Sequence, residues 1–193
     1  DGTAIGIVTL SIWLEEVLGN PAVKYKTDQF NWIGRVADVV GVIMTWNTSS
    51  IKTAADLRSR DVPIATTGPG STTYGYSLLL NEFAKTRFKI VSGYQGSAPS
   101  LLAMERGEVE AATTDWNLLR TGKSDWLRDK TVNVLLLHSG KRLKDLPNVP
   151  AAGEIAETSE GRQILDLYAS GQDIVGRSFL APPGLPAERV KEL

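Results

Sequence analysis

The chain has 193 residues, of which 42% are hydrophobic and 22% are charged, and its formal net charge is −1. This balance leaves no electrostatic footprint for nucleic acid or an anionic membrane surface, and the absence of cysteine excludes disulfides, thiolate catalysis and thiolate metal sites. The length allows one large hydrophobic core or two small ones. We therefore expect a small molecule or another protein as the partner.

The chain starts inside an apolar pattern. Asp1-Gly2-Thr3 is neither a signal peptide nor an initiator methionine, and Ala4 to Leu10 is already an apolar run. At the other end, a helical pattern opens near Pro186 and stops at Leu193. We expect an N-terminally truncated chain whose signal peptide lies outside it. No stretch approaches the roughly 20 apolar residues that span a bilayer.

Strand and helix patterns alternate along the chain. The predicted strands are mostly continuous apolar runs, near Thr3–Leu10, Trp32–Val36, Gly41–Trp46, Val62–Thr66, Lys89–Ser92, Val109–Thr114, Val132–His138 and Ile174–Leu180. The predicted helices cover Ser11–Val17, Ala54–Arg60, Ser71–Lys85, Ala98–Arg106, Asp115–Leu119 and Gly161–Ala169. This alternation predicts an α/β fold with a largely parallel sheet.

Two polar segments are candidate crossings between two lobes. Asn47-Thr48-Ser49-Ser50 follows one predicted strand, and Gly171-Gln172-Asp173 precedes another. Small polar residues suit a hinge, although ordinary surface loops use them as well. The pattern predicts that residues 47–171 form a second lobe, while residues 1–46 and 172–193 form part of the first.

Catalytic machinery is not evident in the sequence. His138 is the only histidine, and we interpret it as a satisfied structural residue at a strand end. Gly122-Lys123-Ser124 resembles the end of a P-loop, but Asn117 stands where its first glycine is required. Thr73 replaces the third glycine of a dinucleotide fingerprint. We predict no enzymatic activity, no metal and no cofactor.

A glycine-rich turn joins the predicted strand that ends at Thr66 to the helix that follows. Gly68 and Gly70 allow backbone geometry that other residues avoid, and Ser71 or Thr72 is a natural N-cap. Free N–H groups at Thr67 and beyond, together with the helix dipole, favour a carboxylate or phosphate. An ordinary strand-to-helix turn uses the same residue types.

A second turn of this kind follows the next predicted strand. It contains Tyr94, Gly96, Ser97 and Ala98, with Ser97 as the expected N-cap. Parallel strands bring both turns to one edge of the sheet, where open α/β sheets bind ligands. Asp115 ends a third strand at the same edge, where it caps the following helix or accepts a hydrogen bond from a ligand; we favour capping.

Six segments in this order resemble the Bug family, the periplasmic substrate-binding proteins of tripartite tricarboxylate transporters. They extend over nearly the whole chain and read Asp1-Gly2-Thr3-Ala4-Ile5-Gly6, Phe30-Asn31-Trp32-Ile33-Gly34, Ala65-Thr66-Thr67-Gly68-Pro69-Gly70-Ser71, Gly93-Tyr94-Gln95-Gly96-Ser97-Ala98-Pro99, Asp145-Leu146-Pro147-Asn148-Val149-Pro150 and Phe179-Leu180-Ala181-Pro182-Pro183-Gly184-Leu185-Pro186.

The resemblance implies a periplasmic binding protein of the type II topology, with two lobes and mostly parallel sheets. Such a protein captures a small organic acid and delivers it to a membrane permease, without nucleic acid and as a monomer. Gly68 to Thr72 and Tyr94 to Ala98 match the family's ligand loops, and Asp115 matches its acidic strand end.

The chain departs from the family at its start, because the family's first strand and its Gly-rich loop are absent. We therefore expect poor affinity from this chain by itself. A ligand-sensing effector domain of a transcription regulator, which can share the same lobes and ligand chemistry, is the alternative. An enzyme is disfavoured because one histidine and no recognisable nucleophile leave no catalytic constellation.

Overall fold

A computed structural model of the chain describes residues 4–8 and 10–193. The chain divides into two compact units: Asp1–Val39 with Gly171–Leu193 forms the first, and Val40–Ser170 forms the second. Within the described residues, no helix combines the length and the apolar character needed to cross a membrane.

The first unit contains a small antiparallel sheet. Its strands are β1 (Gly6–Ile7), β2 (Asn31–Ala37) and β8 (Arg177–Ala181), in the order β1-β8-β2. Helix α1 (Ile12–Val17), a 3₁₀ turn (Thr27–Gln29) and helix α7 (Ala187–Glu192) accompany it. Of the predicted strand Thr3–Leu10, only Gly6–Ile7 is extended in a ladder, and Thr3 and Thr9 lie outside the described residues.

The second unit contains a five-stranded sheet in the order β5-β4-β6-β3-β7. Its strands are β3 (Gly41–Trp46), β4 (Val62–Thr66), β5 (Phe88–Ser92), β6 (Ala111–Asp115) and β7 (Val132–His138). Strand β4 is parallel to β5 and β6, whereas β3 is antiparallel to both β6 and β7. Four strands therefore run in one direction, as the fold-class prediction requires.

Helices cover this sheet. They are α2 (Thr72–Phe83), α3 (Ser97–Glu105), α4 (Trp116–Gly122), α5 (Ser124–Arg128) and α6 (Ser159–Val175), with 3₁₀ turns at Ala55–Arg58 and Ala152–Ile155. The last five residues of α6, 171–175, belong to the first unit. One core cluster packs sheet residues such as Val42 and Leu137 against Leu101, Leu119 and Trp126 of α3, α4 and α5. Helix α4 begins directly after β6, and four residues separate the end of β5 from the start of α3.

Among the differences from the predicted bounds, three concern the division between the two units. Strand β3, predicted for the first lobe, belongs to the second unit because its buried apolar run pairs with β6 and β7 on its two edges. Residues 171–173 are helical rather than a linker. The helix ends at Val175 because Gly176 adopts φ +49°, so the predicted strand from Ile174 begins only at Arg177.

Candidate functional site

Three strand ends meet at one edge of the five-stranded sheet. Strands β5, β4 and β6 are adjacent and parallel, so the residues that follow Ser92 and Thr66 lie at the same edge as Asp115, which ends β6. This is the edge at which open α/β sheets bind ligands. The structure therefore brings the two glycine-rich turns and Asp115 to one side of the second unit, as the sequence predicted.

The turn after β4 is built around Ser71. The Ser71 hydroxyl donates to the Gly68 carbonyl over 2.7 Å and accepts from the Tyr74 N–H over 3.3 Å. Ser71 is therefore the N-cap, and Thr72 is the first residue of α2. Gly68 (φ +143°) and Gly70 (φ +80°) both adopt the backbone region that favours glycine.

Thr73 is a residue of this turn whose part in it the sequence reasoning missed. Its Oγ1 accepts from the Thr67 N–H at 3.4 Å and lies 3.2 Å from the Ser71 Oγ. The run of three hydroxyl residues, Ser71-Thr72-Thr73, at a predicted helix start was the available signal. The Ser71 and Thr73 hydroxyls thus lie beside each other at the start of α2.

The turn after β5 is held against the end of β4. The Tyr94 N–H donates to the Thr66 carbonyl at 3.3 Å, and the Thr66 and Ser92 hydroxyls lie 3.1 Å apart. Gly96, with φ +112°, occupies the N-cap position of α3, and Ser97 is already helical. The prediction that Ser97 is the N-cap is therefore wrong, because the positive φ at the helix entry falls on Gly96.

Asp115 caps helix α4. Its carboxylate accepts a hydrogen bond from the Asn117 N–H at 2.7 Å, and its backbone is extended, with φ −76° and ψ 134°. The capping function that we favoured is confirmed. A role of Asp115 toward a ligand stays a prediction.

Neither turn contains a basic side chain. Arg120, near the end of α4, pairs with Asp145 at 3.1 Å, and the same carboxylate oxygen lies 3.4 Å from the indole nitrogen of Trp116. This guanidinium is thus engaged with the segment after β7. The Thr67 and Tyr94 N–H groups donate within the chain, so the expectation of a free N–H group at Thr67 is wrong. The chemistry that the turns offer comes from their other backbone N–H groups and hydroxyls at the positive end of the α2 dipole, which suits a carboxylate.

His138, the last residue of β7, is buried and stacks on Tyr76, with ring centroids 3.7 Å apart. Burial lowers the pKa of the imidazole from its usual 6.5 to about 3, so His138 is neutral near pH 7. Its Nε2 has no hydrogen-bond partner among the described residues. The structure therefore agrees with a structural role for His138, with its Nε2 atom left without a partner among these residues.

The described part of the chain contains no cluster of metal-binding side chains. No three His, Asp or Glu side chains there are grouped closely enough to hold an ion.

Comparison with solved structures identifies the fold. The periplasmic binding protein BugD is 20% identical, with a TM-score of 0.69 over 100% of this chain. MatC from Rhodopseudomonas palustris with bound malate is 20% identical, with a TM-score of 0.65 over 98% of the chain. An R. palustris protein with adipate is 18% identical, with a TM-score of 0.64 over 100% of the chain. No protein-family model and no curated protein sequence matches.

The chain spans 61% of BugD, 62% of MatC and 73% of the adipate-bound protein. At these identities the comparison establishes the fold, and the neighbours agree with the resemblance that the six sequence segments show. The predicted α/β fold class is confirmed: the chain has the fold of the Bug-type periplasmic binding proteins.

Proposed function

We propose that this chain is the ligand-binding part of a periplasmic solute-binding protein of the Bug family, which captures a small organic acid and delivers it to the permease of a tripartite tricarboxylate transporter. One observation carries the proposal: two glycine-rich turns and Asp115 converge at one sheet edge, in a fold shared with malate-bound and adipate-bound proteins. On this proposal the protein is periplasmic, monomeric and without catalytic turnover.

The proposed ligand contacts come from the second unit. They are Thr67, Gly68, Gly70, Ser71 and Thr72 in the first turn, Tyr94, Gly96, Ser97 and Ala98 in the second, and Asp115 beside them. Backbone N–H groups and hydroxyls donate to the carboxylate, and these charge-assisted hydrogen bonds are stronger than those between neutral groups. The Asp115 oxygens accept from a donor on the ligand, in addition to capping α4.

Gly70 provides the direct test. Gly70→Val introduces a β-branched side chain at φ +80°, which strains the turn and blocks close approach of an anion. Gly107→Val is the matched control, because Gly107 has φ +73° but lies in the turn between α3 and β6, where β6 begins rather than ends. We expect at least a tenfold weaker affinity for malate or adipate from Gly70→Val and no change from Gly107→Val.

The measurement is calorimetric titration of malate, adipate, citrate and an aromatic acid into the 193-residue chain and into the full product of its gene. Unchanged affinity in Gly70→Val would remove the turn from the binding site. Failure of all four acids to bind the full product would contradict the assignment to organic-acid capture.

A further inference from the structure

A stack of aromatic rings lies inside the second unit, between two glycines. On one side, His138 pairs with Gly41 across β7 and β3, and a Cβ atom at residue 41 would lie 2.8 Å from the His138 Nδ1. On its other side His138 faces Tyr76 of α2, with the rings only 9° from parallel. Glycine at residue 41 therefore leaves the space that the imidazole fills.

Helix α6 closes the other end of the stack. The Tyr168 ring meets the Tyr76 ring edge-on, with centroids 4.7 Å apart and an angle of 85°, a favourable geometry for aromatic pairs. A Cβ atom at Gly75 would lie 2.4 Å from the Tyr168 hydroxyl oxygen. All three rings are at least 90% buried, so the slot beside Gly75 has little room to widen.

The stack contacts the start of α2, directly after the glycine-rich turn Thr67–Ser71. Tyr76 is the fifth helical residue, and the preceding Gly75 donates its N–H to the Ser71 carbonyl at 3.0 Å. The Ser71 hydroxyl also donates a hydrogen bond to the Gly68 carbonyl. The Ser71 cap favours the helix start, whereas helix ends fray and Gly75 is a poor helix former. Tertiary packing therefore adds to the cap in holding this first helical turn.

We propose that His138 and Tyr76 are positioning residues for the glycine-rich turn Thr67–Ser71. Their stack fixes the first helical turn of α2, and this in turn fixes the positions of the backbone N–H groups in the glycine-rich turn. The imidazole acts as a flat, neutral ring in this arrangement. The consequence for affinity rests on the proposed function, whereas the consequence for the order of the turn does not.

The first experiment measures amide hydrogen exchange of residues 67–75 in the ligand-free chain. His138→Ala removes the stacked ring, and we expect these amides to exchange at least tenfold faster. His138→Phe keeps a flat ring and should retain slow exchange. Leu137→Ala is the matched control, because Leu137 is equally buried on the same strand but belongs to the core cluster beneath α3, α4 and α5. Equal acceleration by His138→Ala and Leu137→Ala would overturn the proposal.

A second variant, Gly75→Ala, tests the proposal without altering His138. Helix propensity alone predicts that Gly75→Ala stabilises α2 and slows exchange. The stack predicts the opposite, because the new methyl group displaces Tyr168. The double variant Gly75→Ala/Tyr168→Phe, which removes the clashing oxygen, should restore part of the protection. Slower exchange in Gly75→Ala would contradict the proposal.

Titration of malate, adipate, citrate and an aromatic acid into the same variants of the full gene product separates the two proposals. His138→Ala should bind the acid that the parent binds at least tenfold more weakly, with His138→Phe close to the parent. If neither the parent nor any variant binds any of the four acids while His138→Ala still accelerates exchange of residues 67–75, the proposed function fails and the positioning role stands. Normal binding by His138→Ala would overturn the positioning role.

Discussion

His138 is a buried imidazole that stays neutral, and this has a consequence for stability. In the unfolded chain the imidazole binds a proton below its usual pKa of 6.5, but in the folded chain it does so only near pH 3. The unfolded state therefore binds more protons between these values, and stability falls as the pH falls below about 6.5.

The expected size of this effect follows from the linkage of proton binding and folding. Between pH 6.5 and pH 5, His138 should cost the parent chain about 1.6 kcal/mol of unfolding free energy, because the full slope of about 1.4 kcal/mol per pH unit is reached only well below pH 6.5. His138→Phe should lack this loss. Urea unfolding at the two pH values measures it, and an equal loss in both proteins would mean that the folded state admits the proton.

At the scale of elements, one ionic network joins the segments that precede β4 and β6. The Arg60 guanidinium donates to both oxygens of Glu110 over 2.5 and 2.6 Å, and the Ser49 hydroxyl donates to the same carboxylate over 2.5 Å. These hydrogen bonds, chiefly those from Arg60, lower the pKa of Glu110. Through the Ser49–Glu110 hydrogen bond, the network links the start of β6 to the turn that follows β3.

Glu110→Gln tests the network. The lowered pKa means that its stabilisation is present at pH 7 and is lost as the pH falls below the ordinary range of a glutamate. We expect a loss of about 1 kcal/mol at pH 7, which stays constant down to the usual glutamate pKa of about 4.3 and decreases below it. The exposed pair Arg128–Asp129 provides the control, and Asp129→Asn should change little. A pH-independent effect of Glu110→Gln would show that packing, not charge, is responsible.

At the scale of the whole molecule, the two units differ in their cores. Among the described residues, the buried apolar side chains of the first unit are Ile12, Val39, Val175, Leu180 and Ala181, and all the others belong to the second. The first unit also exposes large apolar residues, including Ile7, Val36 and Ile174. Because burial of apolar surface is the main stabilising contribution, the first unit should be the less stable one.

This difference predicts separate unfolding of the two units. Hydrogen exchange under increasing urea should release amides of β1, β2 and β8 at lower urea than amides of β3, β4 and β7. Leu119→Ala, which removes a buried side chain from the second unit, should cost roughly 2–5 kcal/mol there and leave exchange in the first unit unchanged. A single transition for all six strands would contradict the prediction.

The local residue pattern was sufficient to predict the strands and turns that carry the candidate site. The predicted bounds of Gly41–Trp46, Val62–Thr66 and Val132–His138 agree with the structure, because continuous apolar runs of this length bury both faces of a strand. The turn after β4 was recognisable because Gly68 and Gly70 are needed for its backbone. The sequence by itself thus determined the α/β fold and the candidate turns.

Tertiary structure decided the features that depend on residues far apart in the chain. Strand β3 joined the second unit through pairing with β6 and β7, and helix α6 continued through residues 171–173. The stack of His138, Tyr76 and Tyr168 draws on β7, α2 and α6. No local pattern encodes these arrangements, because strand pairing and ring packing are settled by which buried surfaces meet when the chain folds.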